Sequence, residues 1–180
     1  MPPKTPALLL LGLALLATPL IAACGPERGE LEAIEGEPLE LGELRYNVQI
    51  TRFLNPAAVE DGEYLSGLPE PPDGRDYLAV FMRIHNDGEE AEPIPAELTI
   101  RTSRGQVFDP LETDNPFALD LDSEIPAGGQ VPTIDTGAAS GPIKGSMLLY
   151  LVDEQATENR PLELEIPGPD GETGTVELDL

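Results

Sequence analysis

The chain carries one thiol, one imidazole and a large surplus of carboxylates, and each of these limits the chemistry open to it. The thiol is Cys24, set directly after Ile21-Ala22-Ala23 and before Gly25. With no second cysteine there is no disulfide framework and no thiolate metal site. The imidazole is His85. A lone histidine cannot build a His-based zinc or copper centre, which needs several nitrogen or sulfur ligands. As a general base it would need a nucleophile, and Ser140 in Ala139-Ser140-Gly141 lacks the Gly-x-Ser-x-Gly elbow. The glycine-rich run 137–145 fails as a phosphate loop, because Pro142 and Ile143 separate Gly141 from Lys144. These residues read as a strand-end histidine and a loop that opens the next strand. No constellation of nucleophile, base and orienting group is visible, so the chain is expected not to be an enzyme.

The carboxylates offer two further possibilities. Asp120, Asp122 and Glu124 alternate, shortly after Asp109, Glu112 and Asp114. Hard oxygen ligands at such spacing suit calcium, although the EF-hand register and its glycine are missing. In a chain with 34 Asp and Glu such clusters also arise as plain solvated surface. Beyond calcium at that loop, no cofactor is expected. The run Leu68-Pro69-Glu70-Pro71-Pro72 should be extended and polyproline-like. It either covers a sheet edge, which any sandwich must blunt, or presents Tyr64, Leu65 and Leu68 to a partner.

The segment around Cys24 has its own logic. Lys4 is followed by an uncharged stretch, 7–23, dominated by Leu and Ala and interrupted by Pro19. A basic start, an apolar stretch and small residues before a cut describe an export signal. The stretch lies at the lower limit of the roughly 17–25 residues that span a bilayer. No Lys/Arg cluster follows it, so a retained transmembrane helix is the weaker alternative. The tetrad Ile21-Ala22-Ala23-Cys24 resembles the lipobox of bacterial lipoproteins. That resemblance implies cleavage between Ala23 and Cys24, diacylglycerol on the Cys24 thiol and acylation of the new amine. Two or more chains hold a protein stably on a membrane where one does so only marginally. The competing reading is an ordinary secretory signal with an incidental cysteine.

Charge bounds the partners. Ten Lys and Arg against 34 Asp and Glu give a formal net charge of −24. Nucleic-acid affinity comes mainly from basic groups on phosphates, so nucleic acid is excluded as a partner. Anionic head groups would repel the chain as well, leaving the membrane contact to the lipid on Cys24. Aromatic residues make up 4% of the chain and Trp is absent, which lowers the case for stacked sugars.

Residues 24–37 are acidic and Gly-containing and read as a tether after the signal peptide 1–23, with a short helix over 30–35 as the competitor. Residues 38–180 should form one domain. Leu44, Tyr46, Val48 and Ile50 alternate with polar residues, as in a half-buried strand, and Phe53 falls out of phase, which implies a bulge or the strand end. The run from Tyr77 to His85 is apolar on both faces through Phe81, and Asn86-Asp87-Gly88 turns the chain. Strands are also expected over 98–102, 107–108, 130–136, 147–152, 162–166 and 176–180, with one helical turn over 153–159. Many short strands joined by Gly/Pro turns argue an all-β sandwich. Two connections, 55–76 and 109–129, are long enough to be functional candidates.

The acidic tether, the strand from Leu44 to Thr51, the strand closing in Asn86-Asp87-Gly88, the approach Ile125-Pro126-Ala127-Gly128-Gly129 and the final hairpin together resemble a known group. They are similar to the telokin-like, immunoglobulin-like domain of unknown function found in bacterial lipoproteins and secreted proteins. The resemblance implies an immunoglobulin-like β-sandwich and carries no catalytic residue. The expected protein is an extracytoplasmic, lipid-anchored binding or accessory module at the bacterial cell membrane, meeting a protein or envelope polymer through its long loops. The alternative is a solute- or calcium-binding lipoprotein that uses the acidic loop 109–124.

Overall fold

The structure is a computed structural model that describes residues 31–121 and 123–180. The signal peptide 1–23, the bond between Ala23 and Cys24, the tether through residue 30 and Asp122 lie outside the described residues. No helix among the described residues is long and apolar enough to cross a membrane.

Among the described residues twelve strands follow in order: β1 (Glu32–Ile34), β2 (Pro38–Leu41), β3 (Leu44–Leu54), β4 (Arg75–Asn86), β5 (Glu92–Pro93), β6 (Thr99–Thr102), β7 (Val107–Phe108), β8 (Glu124–Ile125), β9 (Gln130–Val131), β10 (Ser146–Asp153), β11 (Leu162–Pro167) and β12 (Thr173–Leu178). A four-residue helix, α1 (Gly137–Ser140), precedes β10, and a 3-10 turn over Glu154–Glu158 follows it. One sheet has the order β1-β12-β11-β6-β7. The other has the order β10-β4-β3-β2, with β9 also on β4, and β5 pairs β8 separately. The chain is an all-β sandwich, as the alternation predicts.

The main core lies between the sheets. Leu78, Val80, Met82 and Ile84 of β4 join Tyr46 and Val48 of β3, Tyr150 of β10 and Leu164 and Ile166 of β11 in one cluster. β12 packs tightly over β2: a Cβ on Gly174 would sit 2.8 Å from side-chain carbons of Leu39 and Leu41. The register of β3 on β4 shifts between Val48 and Ile50, a bulge that puts both Val48 and Thr51 opposite core-facing partners, Met82 and Val80. This is the physical origin of the phase slip at Phe53, and it lets β3 run on to Leu54 rather than stop at Thr51.

Three sequence expectations need correction. The tether does not reach residue 37, and no helix forms there. Glu32–Ile34 is a strand that pairs in parallel with β12, Ala33 opposite Val176, because Ala33 gains burial in the main core. The strand expected over 130–136 shrinks to Gln130–Val131, since Pro132 has no N–H to continue the ladder. The 137–145 loop contains α1, whose Ala138 is buried.

Both faces of β4 are covered. Tyr77, Ala79 and Phe81 point away from the main core and meet Met147 and Leu149 of β10, Leu54 of β3, and Tyr64 and Leu65 of the 55–74 connection. The long loops therefore form a third layer on this sheet.

Candidate functional site

The two long connections converge on one flank, and each has a structural duty that the sequence left open. In the first, Asp61 is 2% exposed and fixes the start of the loop. Its Oδ1 lies 2.6 Å from Arg52 Nη2, and its Oδ2 accepts the Asn55 backbone N–H at 2.8 Å. The chain then lays Tyr64 across the sheet. Its ring stands edge-on to Phe81, with centroids 5.1 Å apart, and tilts against Phe117 at 4.9 Å. Burial pushes the Tyr64 phenol above its ordinary value. Farther on, Tyr77 Oη donates to the Pro69 carbonyl at 3.0 Å, tying the proline run to β4.

The second connection covers an edge. Leu111 N–H donates to the Leu149 carbonyl at 2.7 Å, Leu119 N–H to the Met147 carbonyl at 2.8 Å, and Met147 N–H to the Phe117 carbonyl at 2.7 Å. Together with single bridges from Pro110 to Tyr150 and from Ala118 to Met147, these bonds occupy the free side of β10. The edge-covering role expected of 68–72 belongs to 110–119, while 64–69 covers a face. Asn115 joins the two loops: its Nδ2 donates to the carbonyls of Glu63 at 2.8 Å and Tyr64 at 3.0 Å, and its Oδ1 accepts Phe117 N–H at 2.9 Å.

Between them lies a cleft of about 310 Å³, lined by residues 66–68 on one side and 112–116 on the other. Glu112 and Asp114 are exposed at its rim. This is the lower end of the ~300–1,000 Å³ typical of small-molecule pockets, and the lining is more polar than those pockets are. A second cleft of about 230 Å³ lies between Ile34–Glu35, Arg160–Leu162 and the C-terminal residues.

The sequence-derived binding residues divide. Leu68 borders the cleft and is half-buried, but Tyr64 and Leu65 are 4% and 8% exposed and belong to the second core cluster. They are packed because the outer face of β4 and β10 is itself apolar, and burying each such side chain is worth about 1.5–3 kcal/mol. Of the acids of 109–124, Asp122 lies outside the described residues. The Asp120 carbonyl accepts from Ser123 N and Oγ, and Glu124 lies in β8 opposite Pro93. Among the described residues no three of His, Cys, Asp and Glu gather in a group that could hold a metal ion. His85 Nδ1 lies 2.7 Å from Asp87 Oδ1, beside Arg45, at the end of β4. Ser140 Oγ donates to the Thr136 carbonyl at 3.0 Å. Sequence reasoning missed Asn115 and Asp61; the only available signal was a polar residue inside each long loop.

No protein-family model and no curated protein matches the chain. Solved structures do. The yjhA protein from Bacillus subtilis aligns with a TM-score of 0.51 at 13% identity, covering 82% of this chain and 99% of its own. An uncharacterized β-sandwich protein from Clostridium difficile 630 aligns with a TM-score of 0.50 at 16% identity, covering 87% of this chain and 99% of its own. The ycdA protein from Bacillus subtilis, provisionally described as a lipoprotein, aligns with a TM-score of 0.53 at 13% identity over 81% of this chain and 38% of its own length. At such identities the likeness is one of fold: the chain has the β-sandwich that these proteins share.

Proposed function

We propose that this chain is a lipid-anchored, non-catalytic binding or accessory module on the outer side of a bacterial cell membrane, with an immunoglobulin-like, telokin-like sandwich displayed from Cys24. The observation that carries the binding half is the flank cleft. Two long loops, costly to order, are pinned by Asn115 and Asp61 into one wall with Glu112 and Asp114 exposed at its rim. Ordering each loop residue costs about 1–2 kcal/mol of backbone entropy. An open cleft with two exposed carboxylates at its rim fits a segment of a protein or envelope polymer carrying basic groups better than an enclosed small molecule. The lipobox-like tetrad ending in Cys24 supports the anchoring half.

The test is capture from envelope extract with the full-length lipidated protein as bait, alongside a Glu112→Lys, Asp114→Lys variant. A partner held by the unaltered chain and released by the charge-reversed one supports the reading. Equal capture by both removes the cleft from it. Anchoring is tested separately: Cys24→Ser should abolish incorporation of a labelled fatty acid, and label persisting on the Ser variant would sink the anchor.

A further inference from the structure

The way β1 enters the sandwich fixes which end lies nearest the attachment point. Leu31 accepts Thr175 N–H at 2.8 Å, and Glu32 pairs with Thr175 at the start of β12. That start adjoins the β11–β12 turn, 168–172. The same end holds the β2–β3 turn, since a Cβ on Gly42 would meet Pro169 at 2.7 Å. It also holds the turn after β4, where Asp87 N–H donates to the Glu43 carbonyl at 2.9 Å. The 126–129 turn belongs there too, because Asn86 N–H donates to the Gly129 carbonyl at 3.0 Å. The opposite end carries the 103–105 turn and Glu154–Glu158, with Ser103 N–H on the Asn159 carbonyl at 3.0 Å and Glu154 N–H on the Gly74 carbonyl at 3.0 Å. From one end to the other β4 runs 12 residues, about 40 Å at roughly 3.3 Å per residue.

Six residues separate Cys24 from Leu31. Fully extended they reach about 25 Å, and as a flexible chain about 15 Å. Neither length returns along a body of about 40 Å, so the opposite end cannot be turned onto the lipid. Charge decides between standing and lying down. The near end exposes Glu43, Asp87, Glu89, Glu90 and Asp170, with Arg45 already engaged by Asp87 at 3.0 Å. The outer face of the β11–β12 sheet carries Glu163, Glu165 and Glu177 beside Arg101, which is already held by Glu165. An anionic head-group surface repels both, and lying flat would bring many more of the chain's carboxylates against it. Building on the lipid-anchored reading, we infer that the sandwich stands on its hairpin-turn end, turns 42–43, 87–91, 126–129 and 168–172 facing a lipid bilayer. Charge repulsion holds that end off the head groups by about a Debye length, on the order of 10 Å at 0.1 M salt.

The lipid occupies the only native thiol, so an introduced cysteine labels alone. The full-length lipidated protein, labelled at Asp170→Cys or at Glu158→Cys, is placed in phosphatidylcholine vesicles containing a minority of phosphatidylglycerol and an acceptor-bearing lipid. Energy transfer should be several-fold greater from 170 than from 158, and salt should raise the transfer from 170. Glu43→Cys serves the same end if the 170 variant does not fold. Equal transfer from the two ends, or the reverse order, overturns the orientation. Mass spectrometry of the same samples separates the two claims. Without lipid on Cys24 the anchor reading falls and this inference with it, whereas lipid with equal transfer removes the orientation alone.

Discussion

At the residue scale, polar side chains inside the loops and turns matter more than the histidine and serine whose chemistry draws attention in the sequence. Asn86 is fully buried. Its Nδ2 donates to the carbonyls of Glu90 at 2.7 Å and Ile125 at 2.8 Å, and its Oδ1 accepts Gly88 N–H at 2.8 Å. Asn86→Ala strands these partners and should cost about 1–3 kcal/mol for each buried group left unpaired, read as a lower urea midpoint. His85→Ala should barely move that midpoint, because its contact with Asp87 is largely solvent-exposed, and surface contacts of this kind contribute about 0–1 kcal/mol. Ile84→Ala in the main core should cost about 2–5 kcal/mol. A pH effect is expected on the opposite sheet. Arg101 Nε and Nη2 grip Glu165 at 2.5 and 2.9 Å and hold its carboxyl below the ordinary value of 4.5, against the upward push of partial burial. A carboxyl depressed in the folded state adds stability above its unfolded pKa and loses it as pH falls through the folded one. Glu165→Gln should therefore lower the urea midpoint at neutral pH, and its gap from the unaltered chain should close below about pH 4.

At the scale of elements, legibility followed strand length. β3, β4, β10, β11 and β12 each show enough alternation, or enough continuous apolar sequence, to stand out, and the bulge in β3 announced itself through Phe53. β1 has three residues and buries only Ala33, so no period can be read from it. β2 has four, Pro38–Leu41, and its link to β3 is the two-residue loop Gly42–Glu43, with Gly42 at φ +57 where such hairpins reserve a place for glycine. That signal was present but too short to separate from an acidic tether. The long loops were legible as long and not as buried, because Tyr64 and Leu65 look alike in sequence whether they greet a partner or a sheet. The correction has a consequence for truncation. A fragment starting at Leu31 should keep full stability, whereas one starting at Gly36 lacks β1 and should melt at a clearly lower temperature by circular dichroism while staying β-rich. Equal melting of the two fragments would show that β1 contributes nothing.

At the scale of the whole molecule, two packed sheets and a loop layer make a sandwich that is thicker on one side than the other. The loop layer gives the outer face of β4 a cover it could not do without. Tyr64→Ala should therefore act on the fold, costing about 3–5 kcal/mol by thermal or denaturant melting, rather than on partner binding alone. The main core and the loop layer share β4, so damage to one should lower the other's protection in hydrogen exchange. The parallel pairing of β1 with β12 carries a mechanical meaning. In a chain anchored as proposed, a tug from the membrane would pull Leu31 along the axis of β1, away from the body of the sandwich. The bonds from Thr175 N–H to the Leu31 carbonyl and from Glu35 N–H to the Glu177 carbonyl then feel the force together, in shear, rather than one after another as in an unzipped hairpin. Under a steady pull the lifetime of the tethered domain is set by its unfolding rate rather than by its equilibrium stability. In a chain anchored as proposed, a strand of only three residues would thus set how long the domain stays folded.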